Sequence, residues 1–376
     1  MQNYTDDDRV VMTLDAGGTN FVFSAMRACR PIVESLVLPS CAGDLDRSLE
    51  AIVAGFRNVE RRLTVLPVAI SFAFPGPADY RSGIILQPPN LPAYRDVALG
   101  PMLEETFGLP TFINNDGDLF AYGEAIAGFL PYVNGLLEAA GSSRRFRNLL
   151  GLTLGTGLGG GIVHGGALYL GDNSASGEIW LLRHKLECGT NVEEGASIRA
   201  VRRIYAERAN LPLDDAPEPK VICQIAEGRA EGNRAAAQEA FRRMGEVAGD
   251  AIAQAATLLD GLVVIGGGIA AAHPHFLPAL VAEMNGTFRM PNGEFLPRLV
   301  SRVFNLEDAE QRDAFLKGQP REVRVPRSGR TLAFDAMQRI GIGITRLGTS
   351  EATAIGAYAF ALNRLDEIVR QESSSR

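Results

Sequence analysis

The chain has 376 residues, of which 46% are hydrophobic and 22% are charged, and its formal net charge is -7. This is the composition of an ordinary globular protein, and the length exceeds what one hydrophobic core usually serves, so we expect two domains. No block of basic residues predicts a nucleic-acid surface, and no apolar run is long enough to span a membrane. Four cysteines without paired spacing, and an aspartate-rich N-terminus unlike a signal peptide, predict a cytoplasmic protein.

The first predicted elements form a mixed sheet. Val10 to Leu14 and Phe21 to Met26 are apolar strands joined by a glycine turn, which predicts a hairpin. Pro31 to Leu38 gives a third strand, a run with helical spacing starts at Leu45, and Val68 to Phe72 returns to strand. This order is typical of a mixed sheet with an antiparallel edge.

The next predicted strand ends in three polar residues. Thr111 to Ile113 has the pattern of a short buried strand, and Asn114, Asn115 and Asp116 follow it before a helical pattern over Asp118 to Phe129. Open α/β sheets place their ligands at the carboxyl ends of strands, so these polar residues are candidates for a ligand site. The alternative is that they only cap the helix or form a turn.

The second half of the chain repeats this order of elements. A polar stretch from Asn134 to Asn148 predicts a loop, and Leu149 to Leu154 predicts a strand that meets a glycine loop and a second hairpin. Further elements are predicted in chain order: helices at Ile198 to Arg208 and Arg234 to Leu259, a strand at Leu262 to Ile265, an irregular region from Asn285 to Gly341, and a closing helix from Thr349 to Leu365. The repetition predicts two lobes of similar topology.

Three glycine-rich loops suit the binding of phosphate groups or a flat ligand. They span Asp15 to Asn20, Leu154 to Gly161 and Val263 to Ile269. Glycines let backbone N–H groups approach an anion closely, and an acid beside such a site suits a magnesium ion. The alternatives are a ligand-free hairpin turn for the first loop and a tight strand-to-helix turn for the third. The second loop contains a formal G-x-G-x-x-G, but a hairpin rather than a helix follows it, which argues against a Rossmann site.

Together these loops resemble those of the ROK family of bacterial sugar kinases, within the actin-like ATPase superfamily. The resemblance covers roughly residues 10–361, and it extends to the segments Pro75 to Asp79, Pro89 to Leu91 and Leu347 to Ala357. It implies an α/β fold of two actin-like (ribonuclease H-like) lobes with mixed sheets around a central cleft. The implied N-terminal lobe is 1–115, joined by the helix 362–376, and the C-terminal lobe is 116–361, with an irregular insertion near 285–341.

The resemblance also implies roles for individual residues. The family's catalytic aspartate falls on Asp116, and Asp15 would hold Mg²⁺ through water. The sugar-binding positions fall on Asn90, Asn115, Glu178 and Glu193, with Glu194 a close rival for the last. The positions that would bind ATP are Gly17, Gly18, Thr19, Thr156, Gly157, Gly159, Gly267 and Gly268.

The chain departs from the family pattern after Glu178. The family's histidine position is held by Leu181, and Cys188 is the one remnant of its cysteine-rich zinc loop, so we predict no zinc site. Packing of Trp180, Leu181 and Leu182 would hold the segment instead. His184 is interpreted as part of a solvated basic turn, and the alternative is that it replaces the missing sugar-contacting histidine.

The function that the resemblance implies is ATP-dependent phosphorylation of a hexose, glucose and/or mannose, at the 6-hydroxyl. The alternatives are an N-acetylhexosamine or fructose kinase, or a catalytically impaired sugar sensor. Repressors of this family carry an N-terminal winged helix, for which the roughly ten residues before the first strand leave no room, so no nucleic-acid partner is expected. The expected cofactors are ATP and Mg²⁺, and the expected partners are a hexose and a second copy in a homodimer, with no membrane.

Overall fold

The structure is a computed structural model that describes residues 4–374. The chain divides into two compact units. The first comprises the residues up to Gly128, residues 161–177 and the chain from Leu347 onward, and the second comprises 129–160 and 178–346. Among the described residues, no helix is both long and apolar enough to cross a membrane.

The first unit begins with a six-stranded mixed sheet. Its elements up to Ile126 are β1 (Val10–Ala16), β2 (Asn20–Arg27), β3 (Arg30–Pro31), β4 (Leu36–Pro39), α1 (Leu45–Arg62), β5 (Pro67–Ala73), β6 (Ala78–Asp79), β7 (Ile84–Ile85), α2 (Leu99–Phe107), β8 (Thr111–Asn114) and α3 (Asp116–Ile126). The sheet order is β3-β2-β1-β5-β8, with β4 also paired to β2. β2 runs antiparallel to β1, β3 and β4, whereas β5 runs parallel to β1 and β8. The predicted mixed sheet with an antiparallel edge is confirmed, although the predicted third strand is two short strands, β3 and β4.

Helix α1 forms because its apolar residues lie on one face and its start is capped. The Asp44 side chain accepts a hydrogen bond from the Arg47 N–H at 3.2 Å, which satisfies one of the unpaired donors of the first turn. Ile52, Phe56 and Val59 are buried at helical spacing. The Phe56 ring meets that of Phe23 on β2 edge-to-face, with centroids 5.2 Å apart. These contacts form the core on one face of the sheet.

The rest of the described chain contains a second six-stranded sheet. The elements that follow α3 are α4 (Phe129–Ala139), β9 (Leu149–Leu154), β10 (Leu158–His164), β11 (Ala167–Tyr169), α5 (Ile198–Ala209), α6 (Pro219–Glu227), α7 (Arg234–Leu259), β12 (Leu262–Gly266), α8 (His273–Met284), β13 (Thr287–Arg289), β14 (Phe295–Pro297), β15 (Arg302–Asn305), α9 (Ala309–Lys317), β16 (Pro320–Arg324), β17 (Thr331–Asp335), β18 (Arg339–Ile344) and α10 (Thr349–Ser374). The sheet order is β11-β10-β9-β12-β18-β15. β12 is parallel to β9 and β18, and β15 is parallel to β18. The predicted α/β class with mixed sheets is confirmed.

The prediction of two irregular regions is wrong in part, because both contain regular structure. Helix α4 covers the start of the predicted loop Asn134 to Asn148, because Phe129, Leu130, Val133 and Leu137 are buried on one helical face. The region predicted to be irregular from Asn285 to Gly341 supplies two sheet strands, two hairpins and α9. Its prolines lie at strand ends and in turns, where a missing N–H breaks no ladder.

The first unit extends beyond the lobe predicted to end at residue 115. It continues to Gly128 and takes in all of α10 rather than residues 362–376 alone. The physical reason is that α3 packs along α10, which also contacts β1, β5 and β8. Both helices bury small residues such as Ala121 and Ala352, which allow this close packing.

Candidate active site

Three parallel strands of the first unit end side by side. Asp15, at the carboxyl end of β1, lies opposite Ala73 of β5, and Ala73 lies opposite Asn114 of β8. Helix α3 starts directly after β8 with Asp116 as its first residue. We call Asp15, Asn115 and Asp116 the acidic edge. The strand register therefore places the predicted magnesium ligand and the predicted catalytic aspartate at the same edge of the sheet.

Asn115 is the N-cap of α3. Its side-chain oxygen accepts a hydrogen bond from the Gly117 N–H at 2.8 Å, and the Asp116 carboxylate accepts from the same N–H at 2.9 Å. The helix-capping interpretation is therefore correct for Asn115. The cap uses the oxygen of the Asn115 amide, and the nitrogen of that amide is a separate donor group.

The two aspartates of the acidic edge have raised pKa values. The Asp116 side chain is accessible to solvent, but the protein around it partly desolvates the carboxylate, and this raises its pKa despite the Gly117 hydrogen bond. Desolvation also raises the pKa of Asp15, and the charge of Asp116 raises it further. Two neighbouring carboxylates that are costly to ionise form a donor set that fits a hard cation such as Mg²⁺.

The first glycine loop is the turn between β1 and β2. The Gly17 N–H donates to the Asn20 carbonyl at 3.1 Å, and Ser40 fixes the loop through the Gly18 carbonyl, to which its hydroxyl donates at 2.6 Å. The predicted phosphate contact of Gly17 would compete with the hydrogen bond that closes this turn. A Cβ on Gly18 would lie 3.5 Å from the Asn90 carbonyl oxygen, so the structure brings Asn90 beside this loop.

The second glycine loop joins the neighbouring strands β9 and β10, and the hairpin predicted after it is formed by β10 and β11, so the Rossmann interpretation fails. Its Leu158 N–H donates to Glu193 Oε2 at 2.9 Å. A Cβ on Gly157 would lie 2.6 Å from the same oxygen, which is too close for any side chain without movement of the glutamate. Glu193, predicted as a sugar ligand, is thus bonded to the backbone of the loop that was predicted to hold phosphate.

Arg199 is a residue of this site that the sequence analysis missed. Its guanidinium donates to the Thr156 carbonyl at 3.2 Å and to one oxygen each of Glu193 and Glu194 at 2.9 Å. It therefore ties the second glycine loop to both candidate glutamates. The available signal was a basic residue in the first turn of α5, a short distance after the two glutamates.

The third glycine loop lies directly against the second. Gly267 has φ +88°, and a Cβ on it would be 2.2 Å from the Leu154 carbonyl oxygen. The same oxygen accepts a hydrogen bond from the Ile269 N–H at 3.1 Å, and Thr153 of β9 is in register with Gly266 of β12. The structure therefore brings together the two nucleotide loops predicted in the second unit.

The segment from Glu178 to Glu193 is organised around a buried histidine. His184 is 2% exposed, and its Nδ1 accepts hydrogen bonds from the N–H groups of Leu186 at 3.1 Å and Glu187 at 2.9 Å. The prediction that His184 lies in a solvated turn is therefore wrong. The predicted packing role of Leu181 is also wrong, because that side chain is 59% exposed. Trp180 Nε1 donates to the Glu178 carboxylate, which places these two side chains together.

We expect His184→Ala to destabilise the protein in a pH-dependent way. The substitution removes the shared acceptor of two backbone N–H groups, and each of these hydrogen bonds is worth ~0.5–1.5 kcal/mol net. Burial lowers the pKa of His184. The wild-type advantage is therefore full above the ordinary histidine pKa and is lost as the pH falls through the lowered value, because only the unfolded chain binds the proton in between.

Thermal unfolding at several pH values measures this effect. The proteins to compare are wild type, His184→Ala and, as the matched exposed control, Leu181→Ala. The control should unfold near the wild-type temperature throughout. Equal stability of His184→Ala and wild type near neutral pH would contradict the structural role of the ring.

The model of the ROK family matches residues 11–305. The chain belongs to the ROK family. It is 51% identical to a glucokinase from Parabacteroides distasonis and superposes on that crystal structure with a TM-score of 0.88, over 96% of this chain and 99% of the other. The glucokinase of Halalkalibacterium halodurans is 28% identical over 288 residues, which are 70% of this chain and 82% of that protein. The N-acetyl-D-glucosamine kinase of Vibrio cholerae is 28% identical over 49% of this chain and 56% of its own.

These similarities confirm the predicted family and the actin-like fold. They also confirm the predicted enzyme class, because the glucokinases of Parabacteroides distasonis and Halalkalibacterium halodurans match 96% and 70% of this chain. The relatives differ in the sugar they are named for, glucose in some and N-acetyl-D-glucosamine in others. The names of the relatives therefore do not distinguish between these two sugars.

Proposed function

We propose that this chain transfers the γ-phosphoryl group of ATP to the 6-hydroxyl of a hexose, glucose and/or mannose. The observation that carries the proposal is the accessible Asp116 carboxylate with its raised pKa, placed beside Asp15 at the carboxyl ends of three parallel strands. A general base is most effective when its pKa is moved toward the working pH, which is the direction of the shift here.

In the proposed reaction the oxygen of the sugar 6-hydroxyl forms a bond to the γ-phosphorus, and the hydroxyl proton moves to the Asp116 carboxylate. The bond between the γ-phosphorus and the oxygen that bridges it to the β-phosphorus breaks, and ADP leaves. Phosphoryl transfer needs little covalent help from the protein, so positioning and neutralisation of charge account for most of the catalysis. Asp116 is the proposed base, and its place at the start of α3 fixes its position.

Each unit supplies its own proposed contacts to ATP. In the first unit, Gly18 and Thr19 would offer backbone N–H groups, and Asp15 would hold Mg²⁺ through water. Bound Mg²⁺ supplies positive charge that offsets the phosphate oxygens. In the second unit the proposed phosphate contacts are Thr156, Gly157 and Gly159, and the proposed adenosine platform is Gly267 and Gly268.

The proposed sugar ligands are Asn90, Asn115, Glu178 and Glu193. Support for the first two is their position, Asn115 within the acidic edge and Asn90 beside the first glycine loop. Glu193 has a further proposed role, because its hydrogen bond to Leu158 fixes the second glycine loop. A substitution of Glu193 should therefore raise the KM for ATP as well as that for the sugar.

A coupled ATP-consumption assay over a panel of hexoses tests the proposal. Activity with glucose or mannose, and none with 6-deoxyglucose, would support phosphorylation at the 6-hydroxyl. A preference for N-acetyl-D-glucosamine would favour the second candidate function, an N-acetylhexosamine kinase, which is the activity named for the Vibrio cholerae relative. Binding of sugar without ATP consumption would favour a sugar sensor.

We expect weak discrimination at carbon 2 of the sugar. Leu181 stands where the family has a sugar-contacting histidine, and leucine donates no hydrogen bond. One neutral hydrogen bond is worth ~0.5–1.5 kcal/mol net, or about 2–13-fold, so without a strong partner at carbon 2 the kcat/KM values for glucose and mannose should differ by less than roughly 100-fold. The buried His184, whose Nδ1 already serves two backbone donors, should not restore the contact.

The glucose-to-mannose ratio of kcat/KM, compared between wild type and His184→Ala, measures this expectation. The ratio should be the same in both proteins even where His184→Ala is less stable. A preference far above 100-fold that collapses in His184→Ala would make His184 a sugar ligand.

We also propose that the segment from Glu178 to Glu193 is held without zinc. His184 supports this, because its Nδ1 is used as an acceptor for backbone N–H groups rather than as a metal ligand. The homodimer and the cytoplasmic location expected from the sequence stay predictions.

A further inference from the structure

A thiol, a carboxylate and an imidazole meet in the second unit, and none of the three is among the residues proposed for ATP and sugar. Cys223 and Glu227 lie on α6, and His275 lies on α8. Their ligand atoms, Cys223 Sγ, a Glu227 carboxylate oxygen and a His275 ring nitrogen, all lie within 4.8 Å of one another. Within residues 4–374 this is the one such group of three or more cysteine, histidine or acidic side chains.

The histidine of this cluster has a nitrogen without a hydrogen-bond partner. His275 Nε2 is shielded from solvent and unpaired, and the nearest Glu227 oxygen is 3.9 Å away. That distance is too long for a hydrogen bond. Two ligands that share a tetrahedral zinc ion lie ~3.4 Å apart for the Zn–N and Zn–O lengths typical of proteins. A small inward movement would thus create a metal site, whereas the present spacing leaves His275 Nε2 without a partner.

The backbone and a neighbouring ring hold the three side chains in place. Cys223 and Glu227 are four residues apart on α6 and so project from the same face. The His275 ring stacks on Phe241 of α7 at 5.8 Å between centroids, which fixes the plane of the imidazole. Both α6 and α8 pack against α7, so the two helices that carry the site share one supporting helix.

An arginine outside the cluster holds the carboxylate of Glu227. Arg229 Nε donates to Glu227 Oε2 at 2.6 Å. The oxygen that lies nearest His275 is the other one, Oε1. An outer hydrogen bond of this kind orients a carboxylate ligand and is a usual feature of protein metal sites.

We propose that Cys223, Glu227 and His275 bind one zinc-like transition-metal ion, with water as the fourth ligand. Thiolate and imidazole ligands favour Zn²⁺ and Co²⁺ over the Mg²⁺ that a kinase uses with ATP. Bound metal would link the C-terminal end of α6 to the N-terminal part of α8. The expected consequence is a folded state that becomes more stable as metal is added, because the ion binds the native arrangement of ligands.

The test is a Co²⁺ titration of the metal-free full-length protein, read by the near-ultraviolet absorption of a thiolate-to-cobalt bond and by thermal unfolding. We expect one Co²⁺ per chain and loss of the absorption when one equivalent of Zn²⁺ is added. Cys223→Ser should abolish the absorption. His275→Gln and Glu227→Gln should each weaken binding by more than the ~10–100-fold that loss of an outer-shell partner costs.

Two matched controls complete the experiment. Cys188→Ser removes an exposed thiol outside the cluster, and His273→Gln removes the histidine two positions before His275. Both should bind Co²⁺ as wild type does. The proposal is overturned if wild type shows no stoichiometric absorption, or if the absorption survives Cys223→Ser. Loss of the metal with Cys188→Ser would also overturn it and would place the ion in the segment from Glu178 to Glu193 instead.

Discussion

Asp116→Asn should lower kcat for hexose phosphorylation by ~10²–10⁴-fold, the range that a general base contributes. Asparagine has nearly the same shape as aspartate and keeps an oxygen that can accept the Gly117 N–H, so the start of α3 should remain folded. It cannot take the proton of the attacking hydroxyl. The loss should therefore fall on kcat far more than on the KM of either substrate.

The pH dependence of the wild-type enzyme follows from the same group. As the proposed base, Asp116 would act only as the carboxylate, and desolvation raises its pKa. The acidic limb of the kcat profile should therefore lie at a higher pH than an ordinary aspartate would give. The residual activity of Asp116→Asn should lack this limb.

The same substitution should not cost stability at neutral pH. A carboxyl group whose pKa is higher in the folded than in the unfolded chain stabilises the fold below its ordinary pKa, and that contribution is lost as the pH rises through the raised value. Asparagine resembles the neutral form at every pH. We expect Asp116→Asn to unfold at or above the wild-type temperature at pH 7, with the difference vanishing in acid.

Asp46→Asn is the matched control, because Asp46 also lies in the first turn of a helix of the first unit but is far along the chain from the acidic edge. It should keep wild-type kcat. Turnover by Asp116→Asn within a few-fold of wild type, measured on protein with normal thermal unfolding, would show that Asp116 is not the base.

The parts of this fold that the sequence predicted are those with strong local patterns. The β1–β2 hairpin, α5, α7 and β12 follow from periodicity and turn residues within each segment. The region 285–341 was misjudged because its strands are short and its prolines are frequent. β18 is specified by pairing with β12, and β15 by pairing with β18, which no local pattern reveals.

The site shows the same division between local and long-range information. The glycine loops and the polar residues after β8 are visible in the sequence, since each is a compact motif. The contact of Glu193 with Leu158, the bridging by Arg199 and the burial of His184 depend on chain segments that come together only on folding. The local signal for Arg199, a basic residue shortly after two glutamates, is weak because α5 carries several other arginines.

Gly267→Ala should cost roughly 2–5 kcal/mol of stability, from about 1–2 kcal/mol for a left-handed non-glycine residue and about 1–3 kcal/mol for overpacking. Gly267 has φ +88°, and the new methyl group would lie 2.2 Å from the carbonyl oxygen of Leu154. That carbonyl belongs to the strand that leads into the second glycine loop. The substitution should therefore push apart the second and third glycine loops and, if these bind the nucleotide as proposed, raise the KM for ATP.

Gly268→Ala is the neighbouring control, because a methyl group there would meet no atom within 4 Å. It should unfold at the wild-type temperature. Its KM for ATP should nevertheless rise if adenosine lies on this segment, since the methyl group then occupies the ligand's side of the loop. Thermal unfolding and the KM for ATP of the two variants thus separate the structural requirement for glycine from the proposed contact with the nucleotide. Wild-type stability of Gly267→Ala would contradict the structural requirement for glycine. A normal KM for ATP in Gly268→Ala would contradict the proposed contact with the nucleotide.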